Sequence, residues 1–198
     1  VFGKSSGGYG AIVHGLRYAE HWGAVACHSG DMGFDRLFLG DMPKAVNAIN
    51  KHGSIQALLA HIDAAKKVDG AMFHVLMTLA MAATYDPDPE AYKGIRLPVD
   101  LRTCVLIPER WERWLAHDPV VLIEDQACQA NLKRLRGLYI DCGDRDQYHI
   151  HFGTRQLVDR LDTLGVQHTY VSFEDNHSSI DYRMDESLPF LYEALTAD

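Results

Sequence analysis

Gly3-Lys4-Ser5-Ser6-Gly7-Gly8-Tyr9-Gly10-Ala11 stands almost at the start of the chain and reads as G-x-S-x-G followed by more small residues. A serine in that setting sits on a sharp turn from strand to helix, with strained backbone and its Oγ pushed into the open. Glycines two positions before and after, Gly3 and Gly7, let strand and helix approach without Cβ clashes. The helix N-terminus behind the serine favours developing negative charge, and the Ser6 N–H can donate to an oxyanion. On this reading Ser5 is the nucleophile and Ser6 supplies an oxyanion-hole donor. The same letters admit a rival. Gly3-Lys4-Ser5 also matches the end of a phosphate-binding G-x-x-x-x-G-K-S loop, with Leu138-Tyr139-Ile140-Asp141 as the strand whose aspartate would hold Mg²⁺.

The residues downstream of the motif separate the two. A phosphate loop has no need of Gly7, Gly8 and Gly10, and it gives no role to a later Asp and His at strand ends. Both are present. Asp146 lies in Gly143-Asp144-Arg145-Asp146-Gln147-Tyr148, just past an apolar run. His177 lies in Asp175-Asn176-His177-Ser178-Ser179, past the next strand pattern and before the last helix pattern. The chain order Ser, Asp, His is the one expected of an α/β-hydrolase. A serine hydroxyl needs a base to take its proton. Imidazole titrates in the useful range, and a carboxylate orients it and steadies the imidazolium. Asp146 is therefore the expected acid and His177 the expected base, with Asp141, Asp144 and Asp31 as competitors for the acid role.

Working outward, Ser6 to about Ala19 has helical spacing in Ala11, Ile12 and Leu16. Ala24 to Cys27 is a short apolar strand closed by Ser29-Gly30-Asp31, and Leu138 to Ile140 repeats the pattern. Ile150, Leu157, Leu161 and Leu164 recur at helical spacing, with Gly165 as the C-cap. His168 to Phe173 alternates as a strand, and a last helix follows, re-initiated around Pro189. Strands alternating with helices predict a parallel sheet covered on its faces, with functional residues at the strands' carboxyl ends. Residues 34–131 differ: helical patterns at Pro43–Lys51, Ser54–Lys67 and Asp69–Ala83, a Pro-rich loop at 86–89, a short hairpin around Val105–Ile107, and Trp111 with Trp114 on one helix face. This stretch reads as a helical, cap-like insertion within a single α/β domain spanning 1–198. The Ala71–Ala83 pattern, with Met72, Met77 and Met81, reads as packed core. The chain opens at Val1 on what reads as the end of a strand. The expectation is a C-terminal portion of a longer protein, its earlier strands and second oxyanion donor lying upstream.

Gly3 to Ala11 resembles the elbow of the esterase family of the α/β-hydrolase fold that includes S-formylglutathione hydrolase (esterase D), enterochelin esterases and mycolyltransferases. The family's G-x-x-D-x-aromatic motif matches Gly143 to Tyr148, with its acid at Asp146, and its terminal histidine motif matches His177. The resemblance covers roughly residues 1–31 and 138–195. It departs at Asn176, where Gly or Asp is common, and in a longer middle insertion. It implies an acyl hydrolase or acyltransferase acting on a small-molecule ester, without a cofactor.

The bulk composition sets outer limits. A chain of 198 residues, 47% hydrophobic and 23% charged, is ordinary for one globular domain. A net charge of −8 argues against a nucleic-acid partner. The longest apolar stretch is too short to span a bilayer. Cys27, Cys104, Cys128 and Cys142 have no metal-ligand or disulfide spacing, which leans towards a reducing compartment, although any targeting leader would precede Val1. His149 and His151, two apart on a helix, face different ways and make no metal pair, so no metal is expected. Tyr9 and His28 are candidates for pocket contacts. Oligomeric state is not legible.

Overall fold

Ala24–His28 is buried at all five positions, as a central strand covered on both faces must be. In a computed structural model that describes residues 1–197, this strand, β2, lies between β1 (Phe2–Lys4) and β3 (Gly137–Gly143), with β4 (Thr169–Phe173) outermost. All three pairings are parallel. Lys4 lies opposite His28, His28 opposite Asp141, and Asp141 opposite Val171, so the carboxyl ends of the strands finish together. The helices in chain order are α1 (Ser6–Tyr18), α2 (Phe34–Leu37), α3 (Met42–His52), α4 (Ile55–Asp63), α5 (Gly70–Tyr85), α6 (Pro108–Leu115), α7 (Pro119–Leu122), α8 (Gln126–Arg134), α9 (Ile150–Leu164) and α10 (Met184–Thr196). The fold is an α/β-hydrolase sheet with its crossover helices.

Strand alternation sorts the core. Val25, Cys27, Leu138, Ile140 and Cys142 point to one face, where they pack with Ile12 and Leu16 of α1, Leu132 of α8, and Leu157 and Leu161 of α9. Ala24, Ala26 and Tyr139 point to the other, against Leu191 of α10. Small residues on that second face admit the tyrosine ring, which meets Phe190 at 5.5 Å. α9 ends at Gly165, left-handed at φ 63°, with its N–H bonded to Asp162 O, a C-cap that glycine adopts freely. α10 runs unbroken through Pro189, so the expected restart there does not occur.

The chain divides into two compact units: Val1–Leu37 with everything from Asp118 onward, and Phe38–His117. α7 and α8 lie in the first unit, where α8 packs along α1. Within the second unit, α3 packs on α4 and α5. Trp114 is fully buried, edge-on to Phe38 and Tyr85. The buried Asp86 carboxylate is held by Arg110 and Arg113. α5 buries Val75, Thr78, Leu79 and Ala82, a single helical face, while Met72, Met77 and Met81 are half-buried. The hairpin around Val105 is reduced to one antiparallel bridge, Val99 with Leu106. Among the described residues no helix is long and apolar enough to cross a membrane.

Candidate active site

Ser5 joins β1 to α1 with φ 58° and ψ −126°, a conformation that costs a non-glycine residue about 1–3 kcal/mol. The turn is tied on both sides. The Ser5 N–H donates to His28 O at 2.9 Å, and its carbonyl accepts from Tyr9 N–H at 2.9 Å. A Cβ on Gly3 would come 2.3 Å from Gly7 O, whereas one on Gly7 would meet nothing within 4 Å. The second close approach falls at Gly8, where a Cβ would lie 2.8 Å from His28 O and 2.9 Å from Gly30 Cα. The glycine requirement therefore sits at Gly3 and Gly8, not at Gly3 and Gly7 as the pentapeptide suggests. Ser6 is the first residue of α1, so its N–H belongs to the turn that has no intrahelical acceptor.

His177 comes from the loop after β4 and Asp146 from the loop after β3. His177 Nε2 lies 2.9 Å from Ser5 Oγ, and His177 Nδ1 lies 2.7 Å from Asp146 Oδ2. An ionised carboxylate only accepts, so Nδ1 carries the hydrogen and Nε2 accepts from the serine hydroxyl. Asp146 Oδ1 accepts from Tyr148 N–H at 2.9 Å. Gln147 Oε1 accepts from His177 N–H at 2.9 Å, and the Tyr148 ring meets the imidazole edge-on at 4.9 Å. Three consecutive residues thus grip His177 at its ring nitrogen, its backbone and its ring face.

This sheet, turn and residue pattern has a counterpart among known families. The family model described as "Putative esterase" matches residues 1–185. The chain belongs to that esterase family. No curated protein sequence matches it. Among solved structures, a ferulic acid esterase superposes with TM-score 0.50 at 16% identity, covering 98% of this chain and 50% of its own. An acetylester hydrolase from Corynebacterium glutamicum superposes with TM-score 0.52 at 14% identity, covering 98% of this chain and 60% of its own. At such identities the likeness is one of fold, and the esterase-family chain spans about half the length of the first of these.

The remaining candidates in this esterase-family chain separate cleanly. His28, a candidate pocket contact by sequence, is buried with both ring nitrogens paired. Its ring is buried on the α10 face, with Nδ1 2.8 Å from Asp141 Oδ1 and Nε2 2.9 Å from Ser187 Oγ. Asp141 also accepts from Arg183 Nε at 3.0 Å, and Arg183 donates to Tyr139 Oη at 2.8 Å. Asp141 is therefore committed behind the sheet, and neither the acid role nor the metal-holding strand of a phosphate loop falls to it. Only its register opposite His28, invisible in the sequence, could have revealed this. Asp144 pairs with Arg145 at 3.5 Å. Tyr9, early in α1, packs its ring 6.1 Å from that of the buried Phe34. His149 caps α9 with φ 64°, and its ring lies 6.4 Å from His151. Burial lowers the pKa of His151, and the Arg155 charge adds to that. Among the described residues no cluster of three or more His, Cys, Asp or Glu could hold a metal. Asp31 is buried in the loop after β2, and burial raises its carboxyl to about 6; the His177 charge opposes that rise and Asp146 adds to it.

Proposed function

We propose that the protein hydrolyses carboxylic esters by two acyl transfers, with Ser5 as nucleophile, His177 as base and Asp146 as orienting acid. The carrying observation is the unbroken hydrogen-bond relay from Ser5 Oγ through His177 to Asp146, at 2.9 and 2.7 Å, beginning at a strained turn. In the first transfer Ser5 Oγ bonds to the ester carbonyl carbon and its proton passes to His177 Nε2. The Ser6 N–H donates to the oxyanion that develops. The carbon–oxygen bond to the alcohol then breaks, and the alcohol leaves with the proton from His177. Water repeats these steps on the acyl-enzyme, with His177 again the base, and releases the acid. Asp146 keeps the imidazole in the tautomer that accepts from serine and stabilises it when charged. Family membership and fold support the ester as substrate class.

The test is intact-mass analysis after treatment with a fluorophosphonate. One adduct is expected, absent in Ser5→Ala and slowed in His177→Ala. A folded protein that takes no adduct overturns the reading.

A further inference from the structure

We propose that Cys142 is a positioning residue for the acid of the site: its thiol donates to Asp146 Oδ2, the same oxygen that receives the His177 Nδ1 hydrogen. The proposal rests on the reading of Asp146 as the orienting acid of an esterase.

The strand pattern puts the cysteine there. Along β3, Leu138, Ile140 and Cys142 form the row that packs with α1, α8 and α9. Cys142 ends that row and is fully buried. The chain then reverses in a turn tied to its neighbours. Asp146 N–H donates to Gly143 O at 3.3 Å, Asp144 N–H to Phe173 O at 2.9 Å, and Arg145 N–H to Asp175 O at 3.0 Å. A Cβ on Gly143 would come 2.4 Å from Asp175 O, so the turn is pressed against the loop that carries His177. The reversal lays Asp146 back over the end of its own strand, with Cys142 Sγ 3.9 Å from Asp146 Oδ2.

Two demands meet at position 142. The row needs a residue that belongs in an apolar core, and the carboxylate above it needs a donor. The Asp146 side chain has no exposed surface, so its oxygens depend on donors from the protein. Oδ1 receives Tyr148 N–H at 2.9 Å, and Oδ2 receives His177 Nδ1 at 2.7 Å. Among the described residues, an Oδ2 without the thiol would be held only by the imidazole that it has to orient. Valine or alanine would meet the first demand alone. A thiol meets both, because it packs as a small hydrophobe and carries a weak S–H donor. Burial pushes the Cys142 thiol up to about 12, so it keeps its hydrogen wherever imidazole works as a base. Cys142 thus fixes the rotation of the carboxylate independently of His177, and Oδ2 stays aimed at Nδ1 as the proton arrives from Ser5.

The experiment compares Cys142→Ser, Cys142→Val and Cys142→Ala with wild type in p-nitrophenyl acetate hydrolysis, fluorophosphonate labelling of Ser5 and urea unfolding. The S–H stretch is recorded by infrared spectroscopy on wild type and Asp146→Asn, with Cys142→Ala identifying the band. Valine and alanine should both lower kcat about three- to tenfold with KM unchanged, and slow Ser5 labelling by the same factor. Serine, which keeps a donor, should be faster than either. Stability should run the other way, with serine the least stable, since a hydroxyl is the costliest of the three to bury. The Cys142 band should move to higher frequency in Asp146→Asn, where the carboxylate acceptor is gone. A valine variant with wild-type kcat, a serine variant no faster than valine, or a band indifferent to Asp146→Asn overturns the proposal. Absence of any hydrolysis or Ser5 labelling in wild type rejects the esterase reading instead, and the infrared comparison still decides whether the thiol is bonded to Asp146.

Discussion

Replacing Asp31 by asparagine should change stability in a pH-dependent way whose size follows from the structure. Asp31 is 6% exposed, and burial lifts its carboxyl pKa from 3.8 to about 6. A folded-state pKa above the unfolded one means that the neutral form fits the fold better. The contribution is fully present below pH 3.8 and is lost as pH rises through about 6. A shift of roughly 2 units corresponds to about 3 kcal/mol lost across that window. Asparagine has the same shape and never ionises, so the variant escapes this loss. Urea unfolding from pH 5 to pH 7.5 should show the Asp31→Asn variant gaining on wild type by about 1.5 kcal/mol, roughly half of the total. With an m-value of about 1–3 kcal/mol/M, the midpoint gap widens by about 0.5–1.5 M. A gap of constant size at every pH would refute the reasoning, since it would mean that burial does not govern how this carboxyl ionises.

Three further outcomes are expected. Gly8→Ala places a methyl against His28 O and Gly30 Cα, both backbone, and should destabilise by about 1–3 kcal/mol in thermal or urea unfolding; Gly7→Ala, with open space, should lose no more than the conformational effect of the change, and equal losses would contradict the geometry. Ser187→Ala leaves His28 Nε2 buried without a partner, so stability should fall by about 1–3 kcal/mol while fluorophosphonate labelling of Ser5 keeps its rate; a slowed label would show that this network reaches the site. Gln147→Ala removes the acceptor for His177 N–H and should lower kcat about tenfold with little change in KM; an unaltered kcat would mean that Asp146 and Tyr148 suffice to hold the histidine.

Sequence alone determined what depends on short-range covalent geometry. Alternation and helical spacing locate β2, β3, β4, α1 and α9, and Gly165 marks the end of α9, because side-chain direction repeats every 2 or about 3.6 residues wherever the chain runs. Turn chemistry after β1, β3 and β4 brings Ser5, Asp146 and His177 forward as candidates, and the order of the three points to this fold. The tertiary structure decided everything that depends on which strand lies beside which and which helix covers which face. Ser5 and His177 are 172 positions apart, and their 2.9 Å contact exists only because β1 and β4 end at the same edge of one parallel sheet. Strand parity alone does not say that α10 covers the His28 face, so the pairing of His28 with Asp141 and Ser187 is not legible in the sequence. Likewise Gly8, not Gly7, takes the close approach because the Gly30 loop of β2 lies against it, and Asp31 is buried because α1 and α9 close on that loop. Spacing along the chain is fixed by bond geometry, but the partners of a charge or a methyl group are chosen by register and packing between segments far apart in sequence.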